Sequence, residues 1–540
     1  MVSQLYGSDV PGVGSRTQVV TTGGNGGGSI STIPGLAPLL SHGGLQLIST
    51  RPNNPMSTSG ALPATVKAGS VLGATTRTHH RMAFASPYLV LVYTGYTGAD
   101  AAANNPLKIR ATIQLKGSTL ADETGARVPV TFNGARYGEP DMDGFVISDP
   151  IPFSVSAQQD IFIYTYAQAN GAACQIPLIK TAMGGSAAGS SNNGEGSAAD
   201  DIVISGASTQ GLGVCGYGPV AILGYSSTPK PSVACFGDSI ATGWKDFGSV
   251  SNAGGYLWRW MRNETAIANT SAHYFENTPN FPFTLCAVQG DTLQRFAQIA
   301  NSYKTLRVAE FATTWICEYG SNDIASRTLA QMKADYLTIA GWAAARNKKY
   351  LQCTLVPRVT STDGFLTVAN QTVGSGEAVR TGVNSWLRDG SASGFVAQAA
   401  ALGCTANYID AAATIEVNSS GVLTLNGGFW PAALTPVKTG TLTAVGTTVE
   451  TDSTLGVAQD FYRGYRLRMT SGAFSGGFSD ISQQTSAGAM TIVGVGGTPT
   501  IGDGYAIEFA ATAEGTHPTT WGHWTIANGL NVPANNSLIV

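Results

Sequence analysis

The chain has 540 residues, of which 43% are hydrophobic and 12% charged, and its formal net charge is −3. So few cations argue against a nucleic-acid binder, and the hydrophobic fraction argues against disorder throughout the chain. The longest apolar runs are strand-length, well short of the roughly 18 residues that a membrane helix needs, so we expect no membrane span. No basic segment followed by an apolar run opens the chain, so no ordinary secretory signal is visible.

Residues 1–60 are predicted to form a flexible leader or attachment segment. They are rich in Gly, Ser, Thr and Pro, and Gly23–Gly28 reads GGNGGG, a composition that cannot bury a core by itself. Residues 61–230 then predict a β-sandwich-like domain, because short apolar runs such as Tyr88–Tyr93 and Asp160–Tyr166 are bounded by turn residues.

A different pattern begins near Pro231, where strand-length apolar runs alternate with helical stretches. This alternation predicts parallel βαβ units with both sheet faces covered, and hence a flavodoxin-like doubly wound α/β domain over 231–434 and 511–540. The predicted strands are Val233–Phe236, Phe283–Val288, Thr313–Glu318, Tyr350–Val356 and Tyr408–Asp410. The predicted helices lie around Gly255–Thr265, Thr292–Tyr303, Leu329–Arg346 and Glu377–Arg388.

Between these two parts of the α/β domain, residues 435–510 lose the helical pattern. Gly, Thr, Val and Ser dominate there, with strand-like pieces such as Tyr465–Thr470 and Tyr505–Phe509. We therefore predict a small β module inserted before the last helices of the α/β domain. Because it leaves and re-enters near the carboxyl edge of the sheet, we expect it beside the mouth of any site at that edge.

Polar, Gly-containing turns follow three consecutive predicted strands, which is where open parallel sheets bind their ligands. The first turn is Gly237-Asp238-Ser239, the second Gly290-Asp291-Thr292 and the third Gly320-Ser321-Asn322-Asp323. A fourth segment, Glu514-Gly515-Thr516-His517-Pro518, lies near the C-terminus, with Pro518 expected as the first residue of a helix. A serine, a histidine with a carboxylate three residues before it, and oxyanion donors are the components of a nucleophilic hydrolase.

In order and position these four segments resemble the conserved blocks of the SGNH hydrolases, also called GDSL esterases. The resemblance spans about residues 232–530 and implies a serine esterase that needs no cofactor or metal. It implies Ser239 as nucleophile and His517 as base, and an oxyanion hole formed by the N–H groups of Ser239 and Gly290 with the Asn322 side chain. Four residues would support the turns: Gly237, Asp238, Gly320 and Asp323.

One position departs from the family pattern, which usually has Asp three residues before the histidine. Here Glu514 stands at that position. A glutamate can orient the imidazole and stabilise the imidazolium, and we predict that Glu514 is the acid of the triad. Its extra methylene changes its reach, so a backbone carbonyl could orient His517 instead.

Structural interpretations of the same residues stand beside the catalytic ones. Ser239 could cap the helix after its strand, Asn322 could be a turn residue, and His517 could lie near a helix start without a catalytic task. The remaining histidines are predicted to be structural: His42, His79, His80, His273 and His523.

The seven cysteines are an odd number without CxxC spacing, which fits neither a disulfide scaffold nor a cysteine zinc site. Cys235, Cys286 and Cys317 lie in predicted strands and are expected to pack in the core as small hydrophobes. Whether Cys174 and Cys215 pair is left open.

The accessory parts suggest an enzyme that acts on a surface polymer. Tyr462–Ile481 is similar to small β modules of phage tail proteins, and Ile147–Tyr164 resembles a β domain that precedes some GDSL esterases. We predict an O-acetyl or other short-chain acyl esterase acting on a polysaccharide, extracellular or virion-associated. Residues 1–60 would contact other virion proteins, and a homo-oligomer is an open alternative. The competing hypotheses are a general carboxylesterase or lipase, and a catalytically weak structural or glycan-binding phage tail protein.

Overall fold

The structure of the protein is a computed structural model. It describes residues 3–5, 19–21, 44–50, 71–95, 107–117, 123–140, 145–170, 179–180, 196–198, 203, 215–246, 254–264, 278–459, 461–492 and 497–540. Most of the predicted leader lies outside the described residues. Cys174 also lies outside them, so whether it pairs with Cys215 stays open.

A five-stranded parallel sheet forms the centre of the α/β domain. In chain order its strands are Val233–Gly237, Phe283–Ala287, Thr314–Cys317, Lys349–Cys353 and Ala406–Ile409. They lie side by side in the order second, first, third, fourth, fifth, which is the flavodoxin-like arrangement. The first three strands are wholly buried, because helices cover both faces. The predicted doubly wound α/β domain is confirmed.

Three of the four predicted helices begin at the predicted residues, Gly255, Leu329 and Glu377, and the fourth is divided. The single helix predicted over Thr292–Tyr303 is two, because the chain turns at Ala297-Gln298 after a short helix capped by the Thr292 hydroxyl, which accepts from Arg295 N–H at 3.1 Å. The helices are Gly255–Met261, Leu293–Phe296, Ile299–Ala309, Leu329–Ala344, Glu377–Arg388, Phe395–Ala401, Thr520–Leu530 and Pro533–Ile539. Short 3₁₀ turns occupy Val368–Asn370 and Ala412–Thr414, and Val359–Ser361 pairs with Gln371–Val373 in a small hairpin.

Two hydrophobic clusters cover the two faces of the parallel sheet. One centres on Phe236 and Trp315, the other on Cys235, Trp260 and Trp430. The thiols of the sheet and its surroundings are free and buried, as expected for cysteines that act as small hydrophobes: Cys235, Cys286, Cys317, Cys353 and Cys404.

Two antiparallel sheets precede the α/β domain, and side chains of both share one core that includes Leu91, Ile113, Ile163 and Ile222. The five-stranded sheet has the order Gly196–Ala198, Val71–Arg81, Asp160–Asn170, Leu107–Lys116, Glu123–Pro129. The four-stranded sheet has the order Leu45–Leu47, Ala221–Tyr225, Leu89–Thr94, Phe145–Ile147. Two-stranded pairs join Ser3–Leu5 to Val19–Thr21 and Ile179–Lys180 to Cys215–Gly216.

The boundary predicted at residue 60 needs a correction. Leu45–Leu47 lies in the segment predicted as a leader, yet it pairs with Ala221–Tyr225. Leu45 and Leu47 are buried in the core against the α/β domain, so residues 44–50 belong to the sheet and not to a flexible segment.

Between residues 438 and 508 the chain forms a six-stranded antiparallel sheet with its own small core around Leu467, Ile481 and Ile507. Its strands, in sheet order, are Lys438–Thr441, Gly504–Glu508, Arg466–Met469, Phe478–Gln484, Ala489–Ile492 and Val449–Thr451. Entry and exit are adjacent, since Leu434 N–H donates to the Phe509 carbonyl at 2.9 Å. We call residues 435–510 the insert.

Among the helices that the structure describes, none has the length and apolar character to cross a membrane.

Candidate active site

The three turns singled out in the sequence lie together at the carboxyl edge of the parallel sheet. Ser239, Gly290 and Asn322 follow the first, second and third strands, whose register aligns their ends. Each of the three remains at least partly open to solvent, whereas the strands beneath them are buried. The sheet therefore presents the predicted nucleophile and oxyanion donors on one accessible rim.

Ser239, His517 and Glu514 form a connected hydrogen-bonded series. Ser239 Oγ lies 2.7 Å from His517 Nε2, and His517 Nδ1 donates to Glu514 Oε1. The same carboxylate oxygen accepts the backbone N–H of His517 at 3.2 Å. Because Nδ1 carries the proton toward Glu514, Nε2 is free to accept the serine proton. The partner of Nδ1 is thus the carboxylate and not a backbone carbonyl. Glu514 is 45% exposed, so water screens its charge.

The loop that carries the histidine is held by hydrogen bonds around Gly515. The Gly515 carbonyl accepts from Val359 N–H and from the Trp430 indole N–H, each at 3.0 Å. Gly515 has φ +88, and a Cβ there would lie 1.8 Å from the Val359 carbonyl oxygen. Only glycine fits this loop, for backbone and for steric reasons.

Thr512 also holds this loop, through two hydrogen bonds of its hydroxyl group. Its hydroxyl donates to the His517 carbonyl at 2.9 Å and accepts Gly515 N–H at 2.8 Å.

Pro518 was expected as the first residue of a helix, but this is wrong by two positions. The helix begins at Thr520 with Thr519 as its cap, because the Thr519 hydroxyl accepts Gly522 N–H at 3.3 Å while Pro518 bridges to Thr512.

Two backbone N–H groups at the rim lack a protein acceptor among the described residues. Within the described part of the chain, neither Ser239 N–H nor Gly290 N–H is hydrogen-bonded to another residue. Gly290 has φ +74, and a Cβ there would meet no atom within 4 Å. Glycine is therefore required by the backbone conformation at this turn, and the space beside it is open.

Asn322 lies close to the same rim with its amide already engaged. Nδ2 donates to the Asp291 carbonyl at 2.9 Å and makes a longer contact of 3.3 Å with Asp238 Oδ2. The N–H in the longer contact is the one that can turn to a developing oxyanion at the smallest cost.

The predicted supporting residues hold these turns in place. Asp238 Oδ1 accepts Ile240 N–H at 2.9 Å, and the Asp323 carboxylate accepts Leu293 N–H at 2.7 Å and Gln294 N–H at 3.0 Å. Burial raises the pKa of Asp238 to about 6, and burial also raises that of Asp323. Gly320 has φ +134, and a Cβ there would lie 2.2 Å from the Tyr336 hydroxyl.

His523, predicted to be structural, is buried one turn into the helix after His517. Tyr256 N–H donates to its Nδ1 at 3.1 Å, and its Nε2–H donates to the Trp244 carbonyl at 3.3 Å. Trp244 N–H in turn donates to the Ser239 carbonyl at 3.0 Å. Burial lowers the pKa of His523 to about 4, against the opposing charge of Asp246. His523 is therefore neutral and braces the turn that carries Ser239.

The insert reaches the edge of the site. Asp480 is buried, and burial raises its pKa to about 6, with Lys245 and Arg466 opposing this shift and Glu514 adding to it. Arg466 also donates to the Gly364 carbonyl at 2.5 Å, and a Cβ at Gly464 would contact Thr520. The insert thus borders the residues around Glu514.

Sequence reasoning missed Glu318 and Trp430. Glu318 is buried at the end of the third strand, and its Oε2 accepts Asp238 N–H at 3.3 Å. A carboxylate inside an otherwise apolar run was a visible signal, whereas nothing local marks Trp430 as a partner of Gly515. No group of three or more His, Cys, Asp or Glu side chains in the described ranges could hold a metal ion.

No family model and no curated protein matches this chain. Solved structures similar to parts of it include a lipase/acylhydrolase from Enterococcus faecalis, at 15% identity and TM-score 0.23, covering 37% of this chain and 87% of that one. A GDSL-like lipase from Bacteroides thetaiotaomicron has 10% identity and TM-score 0.22, with coverages of 37% and 80%. A catalytic mutant of an acetylxylan esterase from Geobacillus stearothermophilus has 14% identity and TM-score 0.23, with coverages of 34% and 77%. TM-scores of this size carry no argument about this chain, so its function has to be inferred from the site itself.

Proposed function

We propose that this protein is a serine ester hydrolase with Ser239 as nucleophile, His517 as general base and Glu514 as the acid of the triad. The observation that carries the proposal is the 2.7 Å contact between Ser239 Oγ and His517 Nε2, with Glu514 on the other ring nitrogen. A nucleophile, a base and a group that orients the base, joined by hydrogen bonds on an accessible rim, support acyl transfer.

In the acylation step the Ser239 Oγ attacks the ester carbonyl carbon while its proton moves to His517 Nε2. The carbonyl π electrons move to the oxygen, and Glu514 stabilises the imidazolium. When the tetrahedral intermediate collapses, the C–O bond to the alcohol breaks and the alcohol takes the proton from Nε2. Water then attacks the acyl-serine carbonyl carbon while Nε2 takes its proton. As the second tetrahedral intermediate collapses, the bond between that carbon and Ser239 Oγ breaks, Oγ takes the proton back from Nε2, and the carboxylic acid leaves.

The oxyanion formed in each step needs hydrogen-bond donors around the former carbonyl oxygen. The unpartnered N–H groups of Ser239 and Gly290 and the Nδ2 of Asn322 supply them in this proposal. Removing one such donor typically costs about 2.7–4 kcal/mol in the barrier. Asn322→Ala should therefore lower kcat by about 10²–10³-fold with little change in KM.

We propose short-chain acyl esters, above all O-acetyl groups on a polysaccharide, as the substrate. The insert beside Glu514 would provide a surface for the polymer, and a chain with 12% charged residues suits recognition by hydrogen bonds more than by ion pairs. An extracellular or virion-associated location, and attachment through the N-terminal residues, belong to the same proposal. They rest on the sequence resemblance.

The test is ester hydrolysis by wild type and by Ser239→Ala, measured with p-nitrophenyl esters of increasing acyl length and with acetylated polysaccharides. We expect the substitution to lower kcat by at least about 10³-fold. Acetate release from the polysaccharide would support the proposed substrate, whereas preference for long acyl chains would assign the protein to carboxylesterases or lipases. Equal background rates from both proteins would refute the enzyme proposal.

A further inference from the structure

A pair of buried carboxyl groups lies directly beneath the proposed nucleophile. Asp238 is 1% exposed and Glu318 is 4% exposed. Glu318 Oε2 accepts the backbone N–H of Asp238 at 3.3 Å, and the two side chains also interact with each other. Neither carboxyl forms an ion pair with a cation in the described ranges. Such an arrangement is uncommon, since buried carboxylates are normally paired with a cation.

Burial and the charge of Asp238 both make ionisation of Glu318 more costly. Burial and the neighbouring Asp238 raise the pKa of Glu318 well above its ordinary value, and burial raises the pKa of Asp238 to about 6. Two carboxyl groups in contact do not both ionise in a dry site. Of the two carboxyl groups, Asp238 is the one that accepts N–H groups from the turn and from Asn322.

Asp238 connects this pair to both sides of the proposed oxyanion hole. Its Oδ1 accepts Ile240 N–H at 2.9 Å, which holds the turn after Ser239. Its Oδ2 receives the longer contact from Asn322 Nδ2, at 3.3 Å. The Asp291 carbonyl holds the Asn322 amide at 2.9 Å, and the position of Asp238 affects how freely its other N–H turns to an oxyanion.

The first turn is shaped around the Glu318 carboxyl. A Cβ at Gly237 would lie 2.6 Å from Glu318 Oε2 and 2.4 Å from the Ala241 side chain. The glycine that opens the Gly-Asp-Ser turn therefore makes room for this carboxyl as well as for the turn itself.

From these contacts we infer that Glu318 is a positioning residue for the oxyanion hole, acting through Asp238 on Asn322. Glu318 does not touch the reacting atoms. Its Oε2 accepts the Asp238 N–H at 3.3 Å, and Asp238 Oδ2 in turn contacts the Asn322 amide at the rim. The inference rests on the proposed ester hydrolysis and adds a residue that acts on the transition state alone.

The experiment compares Glu318→Gln, Glu318→Met and Glu318→Asp with wild type in p-nitrophenyl acetate hydrolysis. Gln keeps a donor and an acceptor in nearly the same shape, so kcat should stay within about threefold of wild type. Met fills the space without polar atoms, and Asp withdraws the carboxyl by one methylene. Both should lower kcat by about 10–10²-fold with KM unchanged, less than the full loss of an oxyanion donor.

A second measurement separates positioning from a general effect on folding. In an Asn322→Ala background, Glu318→Met and Glu318→Asp should have a clearly smaller effect on kcat than in wild type, because one of the two parts of the oxyanion hole that Asp238 contacts is gone. Glu310→Met is the matched control, since Glu310 is a half-buried carboxylate that pairs with Arg346 at the opposite end of the third strand. It should leave kcat unchanged. If the Met variant does not fold, the Asp variant carries the comparison.

The outcomes distinguish this inference from the function beneath it. Equal rates for wild type and Ser239→Ala would overturn the proposed function and this inference with it. An active wild type whose Glu318→Met or Glu318→Asp variant keeps full kcat would overturn this inference alone. So would an effect of either variant that is undiminished in the Asn322→Ala background.

Discussion

Trp430 and Gly515 are joined by a hydrogen bond from the indole N–H to the glycine carbonyl, at 3.0 Å across 85 residues of chain. Trp430 is fully buried, and Gly515 lies between Glu514 and His517. The bond fixes the loop that carries the proposed acid and base, together with the donation from Val359 N–H. A residue outside every sequence motif thus sets the geometry of the site.

Trp430→Phe removes this donor and leaves Val359 N–H as the remaining partner of the Gly515 carbonyl. We expect the free energy of unfolding to fall by about 1 kcal/mol for the lost hydrogen bond, plus the cost of the smaller ring. We expect kcat to fall several-fold, because the imidazole is less well oriented. Thermal unfolding and ester hydrolysis measure the two effects.

Trp315→Phe is the control for this variant. Trp315 is equally buried and donates its indole N–H to the Ala309 carbonyl at 3.0 Å, away from the catalytic loop. It should lose similar stability and keep its kcat. Equal kcat values for the two variants would mean that Trp430 does not position the loop.

Glu514 is the position at which the chain departs from the family it resembles, and its carboxylate is 45% exposed. Glu514→Gln should lower kcat by about 10²-fold, less than the ~10⁴-fold loss known for a buried triad aspartate, because water screens part of the charge. Glu514→Asp keeps the charge and should retain more activity than the Gln variant. Steady-state kinetics with p-nitrophenyl acetate measure kcat for the three proteins. A wild-type kcat in Glu514→Gln would show that another group orients His517.

Folding stability should depend on pH through His523. Its pKa is lowered from 6.5 to about 4 in the folded protein, so the unfolded chain binds one more proton between these values. Stability is then fully present above about pH 6.5 and falls as the pH decreases toward about 4, by about 3 kcal/mol in all.

His523→Gln supplies the comparison, because its amide can keep both hydrogen bonds without titrating. Relative to this variant, wild type should lose about 2 kcal/mol between about pH 7.5 and about pH 5 in urea unfolding. The difference between the two proteins is the informative quantity. Asp238 and Asp480 have raised pKa values, so they lose stabilisation as the pH rises through about 6 and oppose the histidine. An unchanged difference between the proteins would show that His523 is not buried as a neutral ring.

The parallel sheet and the position of Ser239, Gly290 and Asn322 could be predicted because each depends on local pattern. Apolar runs separated by helical stretches specify parallel strands, and parallel strands bring their carboxyl ends to one edge. The break after Phe296 was not visible in the same way. It depends on the ion pair of Arg295 with Asp291 and on its hydrogen bond to the Asn301 carbonyl at 2.9 Å.

Other features depend on contacts between distant parts of the chain and have no local signal. Leu45–Leu47 joins a sheet through Ala221–Tyr225, about 180 residues further on, although its surroundings read as a leader. Trp430 and Val359 reach Gly515 in the same nonlocal way. Glu318 is different, because it did have a local signal. A charged residue at the end of an apolar run indicates a buried position with polar partners, and the motif that follows it directly made this signal less visible.

Contacts between the insert and the catalytic loop lead to a last prediction. Arg466 is buried in the insert, pairs with Glu508 and donates to the Gly364 carbonyl at 2.5 Å. Gly364 precedes Phe365, whose ring lies 3.2 Å from where a Cβ at Gly515 would be. The insert therefore holds the segment around Gly364, and this segment packs against the catalytic loop at Gly515.

Arg466→Met should lower the free energy of unfolding by about 2–4 kcal/mol, since it leaves Glu508 with Arg468 as its remaining cation. It should also lower kcat for p-nitrophenyl acetate several-fold, because the segment at Gly364 loses its donor. Arg468→Met is the matched control: Arg468 pairs with the same carboxylate at 3.0 Å but is 17% exposed and does not contact Gly364. It should lose less stability and keep its kcat. If both variants hydrolyse small esters as fast as wild type, the insert acts on the polymer only and does not support the catalytic loop.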